Sequence, residues 1–169
     1  ICSGHLPVEL LSFEYSTVKN IVTLSWATAS EINNSGFEVE RALDNGAVEW
    51  QKIGFVQGSG TTNEPKEYSY EDKKLKAGTY KYRLKQVDYN NNSEYFELMY
   101  NVKIDPPGIF SIGQNYPNPS NPKSKIDYEI PVLGKVMIRL YNLLGQEVSN
   151  ILDEIMEAGY YTAEFDGSN

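Results

Sequence analysis

One cysteine, one histidine and only 15 lysines and arginines stand among 169 residues, and each scarcity removes a class of chemistry. A lone Cys2 forms no internal disulfide. Together with His5 in Ile1-Cys2-Ser3-Gly4-His5 it is too small a set for a Cys/His metal centre, and it sits where a chain end ordinarily frays. The missing disulfide leaves the compartment open, because a large enough apolar core keeps an exported domain stable without one. Against 23 Asp and Glu, the few cations leave a formal charge of −8. No basic footprint exists for a phosphate backbone, so nucleic acid is not an expected partner. No apolar run approaches the roughly 20 residues of a spanning helix. The N-terminus also lacks the basic start and apolar stretch of a signal peptide, so no membrane span is expected and the chain reads as a mature or excised piece. With 40% hydrophobic and 22% charged residues, the composition is that of a folding chain rather than a disordered one.

What is present is tyrosine, 13 of them, mostly in short runs where apolar and polar residues alternate with the period of half-buried strands. Val22, Leu24 and Trp26 alternate with Thr23 and Ser25. Phe37 and Val39 alternate with Glu38 and Glu40, and Tyr80, Tyr82 and Leu84 with Lys81, Arg83 and Lys85. Val8 to Tyr15 supplies a first strand, Ile53 and Phe55 follow Trp50, and Phe96 to Ile104 reads as one long last strand. Turn signals separate them at Asp44-Asn45-Gly46, Gly58-Ser59-Gly60, Lys76-Ala77-Gly78 and Asn90-Asn91-Asn92. Seven short strands bury most as two packed sheets, so residues 6–104, after a tail at 1–5, are expected to form a β-sandwich. The pattern stops at Asp105-Pro106-Pro107-Gly108, where two prolines cannot donate ladder hydrogen bonds; residues 105–108 read as a linker. Beyond it, Asn115-Tyr116-Pro117-Asn118-Pro119-Ser120-Asn121-Pro122 reads as an ordered, non-repetitive loop. Strands then resume at Ile126 to Ile130, Val136 to Leu140, Val148 to Leu152 and Tyr160 to Phe165, with Asn150–Ala158 either a short helix or a connection. The fold class is therefore all-β, two tandem sandwiches. The second, 109–169, looks incomplete, because its strands, about five, end on the turn signal Asp166-Gly167-Ser168-Asn169 with an open edge and an apolar face.

An enzyme would need a poised acid, base or nucleophile in a pocket. Glu38, Glu40, Glu94 and Glu97 alternate with core positions and so fall on solvated strand faces, and no histidine beyond the terminus can serve a Ser or Thr as base. Asp88 with Asn90, Asn91 and Asn92 offers oxygen ligands, yet it lacks the Glu and Gly of a calcium loop and stands where a hairpin turns, so turn formation is favoured. Gly54, Gly58 and Gly60 lack the Lys-Ser/Thr and helix of a phosphate loop and read as flexible. Trp50 and Tyr95, with Met99, could stack sugars if they face outward, or could pack on a neighbouring element. No metal, cofactor or catalytic residue is expected.

Two longer stretches resemble known families. Leu6-Pro7-Val8-Glu9-Leu10-Leu11-Ser12-Phe13, Val22-Thr23-Leu24-Ser25-Trp26, the run from Ala29-Ser30-Glu31-Ile32-Asn33-Asn34 to Arg41, and Tyr80 to Asp88 resemble a fibronectin type III-like module. It is of the kind that precedes the C-terminal sorting domain of proteins exported by the type IX system of Bacteroidetes-like bacteria. The Asn115 to Pro122 loop, Lys125 to Pro131, Leu140-Tyr141-Asn142-Leu143-Leu144-Gly145-Gln146-Glu147-Val148 and Ala158-Gly159-Tyr160-Tyr161 resemble the type A sorting domain itself, an immunoglobulin-like fold likened to flagellar hook-capping proteins. Together they cover nearly the whole chain. Ser120 stands where that family usually has Phe. The corner tyrosine expected six residues after Leu75 falls on Lys81, between Tyr80 and Tyr82. The family's final strands do not follow Asp166-Gly167.

The resemblance implies a non-catalytic, extracellular or cell-surface spacer and sorting region. Its expected partners are the type IX translocon and sortase and, after processing, cell-surface lipopolysaccharide. The recognition loop would be Asn115, Tyr116, Pro117, Asn118, Pro119, Asn121 and Pro122. Two rival readings stand beside it: a filament subunit that pairs with identical subunits by strand donation, and a carbohydrate-binding module of a secreted enzyme, with Trp50 and Tyr95 as its sugar platform.

Overall fold

The computed structural model describes residues 8–119 and 122–166; Cys2, His5, Ser120, Asn121 and the Gly167-Ser168-Asn169 turn lie outside them. The chain divides into two compact units, Ile1–Ile104 and Asp105–Asn169. Every regular element among the described residues is a β-strand.

The first unit is organised by one strand that belongs to two sheets. Strands β1 (Val8–Val18), β2 (Ile21–Leu43), β3 (Gln51–Thr62), β4 (Lys66–Asp72), β5 (Gly78–Asp88), β6 (Ser93–Glu97) and β7 (Val102–Ile104) are all paired antiparallel. The first half of β2, Val22 to Thr28, lies between β1 and β4. Its second half, Gly36 to Arg41, lies between β3 and β5. The ladder is irregular between Glu31 and Gly36, and Asn33 there takes the left-handed conformation at φ 57°, which Asn tolerates better than most residues. A bulge of this kind bends a strand and raises its twist, so the sheet curls until its two halves face each other as a sandwich.

The alternation read from the sequence now has a destination. Val22, Leu24 and Trp26 from one half of β2 meet Phe37 and Val39 from the other, and all five are essentially fully buried. The Trp26 and Phe37 rings sit 5.5 Å apart edge to face, and Tyr68 stacks on Trp26 at 5.7 Å. Burying such a side chain contributes roughly 1.5–3 kcal/mol, against roughly 0–1 kcal/mol for an exposed ion pair. The apolar faces therefore fix the pairing, and the surface charges follow it.

A carboxylate lies at the crossing. Glu31 is fully buried, with no cation bonded to it among the described residues, and each of its oxygens accepts two hydrogen bonds. Oε1 accepts from Thr28 Oγ1 at 2.9 Å and Tyr68 OH at 2.6 Å, while Oε2 accepts from Asn34 Nδ2 at 2.9 Å and the Ser59 N–H at 2.9 Å. Asn34 Oδ1 in turn accepts from Gln86 Nε2 at 3.1 Å. Strands β2, β3, β4 and β5 are thus tied at one place. Burial pushes the Glu31 carboxyl up, but the donors from Tyr68, Asn34, Ser59 and Thr28 together outweigh it and hold it below the usual range. Burial and the bond to Glu31 push the Tyr68 hydroxyl up to about 12, so it remains a donor at neutral pH.

Several sequence expectations are corrected here. Gly58-Ser59-Gly60 is not a turn but part of β3, and Gly54 and Gly58 supply room rather than flexibility. A Cβ on Gly54 would enter the Tyr70 ring, and one on Gly58 would enter the Asn34 side chain. The single last strand is two, β6 and β7, interrupted where Met99 and Tyr100 turn outward. Tyr80, not a residue six positions after Leu75, donates its hydroxyl to the Lys76 carbonyl at 2.9 Å.

The second unit has strands β8 (Ser111–Ile112), β9 (Lys123–Ile130), β10 (Gly134–Tyr141), β11 (Glu147–Met156) and β12 (Gly159–Asp166), in a β12-β9-β8 sheet and a β10-β11 pair. Their inner faces meet at Tyr128, Ile130, Val136 and Ile138, against which Ile151, Leu152, Met156, Tyr161 and Ala163 pack. Residues 150–156, left open between helix and connection, are extended in β11. Tyr161 reaches back to the Glu157 carbonyl at 2.9 Å, repeating the Tyr80–Lys76 geometry. The two sites share the sequence Ala-Gly-x-Tyr, at Ala77-Gly78-Thr79-Tyr80 and Ala158-Gly159-Tyr160-Tyr161.

Glu31→Ala is expected to destabilise the first unit by roughly 3–5 kcal/mol in urea unfolding, since each buried donor left unpaired costs roughly 1–3 kcal/mol. Glu31→Gln tests the charge. A carboxyl held low in the folded state adds stability above its unfolded pKa and loses that contribution as pH falls through the folded one. The deficit of Glu31→Gln relative to the parent should therefore be full at neutral pH and shrink in acid below the ordinary glutamate range; a pH-independent deficit would contradict this. Gly54→Ala should cost roughly 1–3 kcal/mol through overpacking on Tyr70, and restoring space with Tyr70→Leu in the same chain should recover part of it.

Candidate functional site

The loop named from the sequence is held by its neighbours rather than by its own chain. Tyr116 exchanges two backbone hydrogen bonds with Lys125 of β9, each 2.9 Å. Pro117 has no N–H to offer, but its carbonyl accepts from Ser124 Oγ at 2.9 Å and from Asn115 Nδ2 at 3.3 Å, and Asn115 Nδ2 also donates to Ser124 Oγ at 2.9 Å. Ser124 is buried beneath this triangle, only 1% exposed. Tyr116 donates to Asp127 Oδ1 at 3.0 Å, an oxygen shared with Thr162 Oγ1 at 2.7 Å, and Lys125 pairs with Glu164 at 2.9 Å. The bond to Asp127 raises the Tyr116 hydroxyl. The peptide bonds Tyr116–Pro117 and Asn118–Pro119 are cis. Tyr116, Pro117, Asn118 and Pro119 are exposed, as is Pro122. One phenol ring and two pyrrolidines thus face solvent, and the Pro117 carbonyl is hydrogen-bonded by Asn115 and Ser124.

The aromatic pair of the first unit comes together around a cation. On the outer face of β3, β2, β5 and β6, the Arg83 guanidinium carbon lies 4.3 Å from the centre of the Trp50 ring and 4.2 Å from that of Tyr95. Arg83 Nε also donates to Glu40 at 2.6 Å. Both rings therefore give a face to the same guanidinium, a cation that the ring quadrupole attracts, Trp most strongly. Next along the face, Glu38 bridges Lys52 at 2.6 Å and Lys85 at 3.1 Å, and the bond from Lys52 lowers its carboxyl despite some burial. Glu38 and Glu40 alternate outward as read, but they are not freely solvated; Glu40 is only 9% exposed. Met99 lies apart from any strand, 81% exposed.

Two buried aspartates, Asp88 and Asp72, have structural occupations. Asp88 Oδ1 accepts from the N–H groups of Asn90 and Asn92, and Oδ2 from Asn92 Nδ2, all at 2.8 Å. The Asn92 side chain is the chief reason its carboxyl is held low. These are the bonds of a turn, with Asn91 at φ 64°. Asp72 takes both of its contacts to Arg41 through Nη1, at 2.9 and 2.8 Å, and a third bond from the buried Tyr82 hydroxyl at 2.8 Å. Among the described residues no group of three or more His, Cys, Asp or Glu could hold a metal ion, and no helix is long and apolar enough to cross a membrane.

Sequence reasoning did not find the Glu31–Asn34–Gln86 network or the paired Ala-Gly-x-Tyr sites. A signal was present for each: the three-residue steps from Thr28 to Glu31 to Asn34 between the apolar alternations of Val22-Leu24-Trp26 and Phe37-Val39, and the repeated tetrapeptide. No protein-family model matches the chain, and no curated protein is significantly similar to it.

If Arg83 couples the two rings, a double-mutant cycle of Arg83→Ala with Tyr95→Ala should give a coupling of about 0.5–1 kcal/mol in urea unfolding. Additive losses would show that the contact carries no energy.

Proposed function

We propose that this chain is a non-catalytic part of an exported protein, a β-sandwich spacer followed by a sorting and surface-attachment region of the type IX kind, acting outside the cell or at its surface. The observation that carries the reading is the Asn115–Pro119 loop. A segment rich in Asn and Pro, which left to itself would sample many conformations, is locked to β9 by the Asn115–Ser124–Pro117 triangle and the Tyr116–Lys125 bridge, while its outer side chains stay in solvent. A surface that is rigid before contact loses little conformational freedom on binding, which suits recognition by translocation machinery. The partners on this reading are the translocon, the sortase that cleaves behind it, and the lipopolysaccharide to which the cargo is then joined.

The structural occupations of Glu31, Asp72 and Asp88 favour the same reading, since each oxygen already accepts bonds that hold strands or turns together. The first unit then serves by its stiffness, with two faces pinned through β2 and its outward charges paired across strands.

The test is export of the full-length protein in its own host. Asn115→Ala combined with Ser124→Ala removes the anchor while leaving the core strands intact. Surface display should fall at least about tenfold, and the purified variant should unfold within about 3 kcal/mol of the parent, the cost of three neutral hydrogen bonds. Undiminished display with a demonstrably mobile loop, read by hydrogen exchange at Tyr116, would overturn the assignment.

A further inference from the structure

The connection between β2 and β3 contains the chain's one Asn-Gly step, Asn45-Gly46, and the structure leaves it unusually free. Asp44 is anchored: its N–H donates to the Thr79 carbonyl at 2.8 Å, and its carboxylate meets Asn101 Nδ2 at 2.8 Å and Lys81 at 3.3 Å. Beyond that anchor, Asn45, Gly46 and Ala47 are exposed and outside any strand. Gly46 has φ +100°, and a Cβ placed on it would meet nothing within 4 Å.

Three other asparagines are tied through their side chains. Asn34 is buried, with its amide nitrogen on Glu31 and its oxygen on Gln86. Asn92 is held through both main-chain and side-chain donors by Asp88. Asn142 accepts from the Leu144 and Gln146 N–H groups and donates to the Gln146 side chain.

We propose that Asn45 is a site of spontaneous, intramolecular modification. The Gly46 backbone nitrogen, with no side chain to crowd it, loses its proton to solvent base and attacks Asn45 Cγ. The new N–Cγ bond closes a five-membered imide, and the Cγ–Nδ2 bond breaks to release ammonia. Water then opens the ring at either carbonyl. Opening at the side-chain carbonyl leaves aspartate at position 45, and opening at the main-chain carbonyl leaves an isoaspartyl linkage with an extra methylene in the backbone. No oxidant or cofactor enters. Either product puts a second carboxylate beside Asp44, in competition for Lys81, and on the wall of a groove of about 400 Å³ lined by Arg41, Leu43, Asn45, Glu49, Gln51 and Tyr80. The loop thus carries an irreversible record of the protein's age in mildly alkaline surroundings.

Peptide mapping by mass spectrometry after incubating the folded chain at mildly alkaline pH tests this. Conversion at Asn45 should exceed that at every other asparagine by at least about tenfold, the ratio that about 1.4 kcal/mol of barrier produces. The product should contain isoaspartate, detectable by isoaspartyl methyltransferase labelling, and Asn45→Gln should remove the signal. In urea, Asn34, Asn92 and Asn142 should accelerate while Asn45 changes little, because only the first three are protected by folding. Conversion spread evenly over the exposed asparagines of the folded chain, or an Asn45 that stays an amide throughout, would overturn the proposal.

Discussion

One buried carboxylate, that of Glu31, ties the first sandwich together through four hydrogen-bond donors. For β2 to serve both sheets it must break its ladder between Glu31 and Gly36, and a broken ladder inside a core strands backbone and side-chain donors that cost free energy if left unpaired. Glu31 resolves this by collecting donors from its own strand, from β3 and from β4. An ion buried this deeply is costly unless its lone pairs are filled, and four donors fill them. The aromatic cluster of Trp26, Phe37 and Tyr68 then packs directly against the network, with the Tyr68 hydroxyl as the link between the apolar and polar halves of the core.

The same economy recurs at the surface and in the second unit. Charges on the four-stranded face are arranged as cross-strand sets, Lys52–Glu38–Lys85 and Arg83–Glu40, each joining neighbours that the ladder has already brought close. Each pair adds little by itself, and the Glu40 bond holds Arg83 where it meets the Trp50 and Tyr95 rings. In the second unit, Tyr161 ties the end of its loop to the start of a strand as Tyr80 does in the first. Gly159 permits this because a Cβ there would press on the Tyr161 ring. A tyrosine hydroxyl bonded back to a carbonyl four residues earlier is what the two units have in common.

How far the sequence could be read depended on the range of the interaction. Strand faces such as Val22-Leu24-Trp26 and Tyr80-Tyr82-Leu84 were legible because burial imposes a period of two on neighbouring residues. The turn at Asp88–Asn92 was legible because its bonds are local. Gly54 and Gly58 were misread as flexible, since what requires them, Tyr70 and Asn34, is distant in sequence. The break of the last strand at Met99 and the extended state of residues 150–156 were equally hidden, being set by which partner strand lies alongside. For the candidate site, the loop's residues were evident from composition, but its anchor on Ser124 was not, and neither was the guanidinium between Trp50 and Tyr95.

By itself the sequence determined that this protein is built of strands, where its apolar faces lie, and that a proline-marked boundary divides the pattern, because these follow from local periodicity and from the conformational limits of proline. Only the tertiary structure decided that β2 changes sheets, that Glu31 is a core residue, and that Arg83 fills the space between two rings. Those outcomes depend on contacts between residues tens of positions apart, and a donor finds its acceptor only after the sheets have folded over one another.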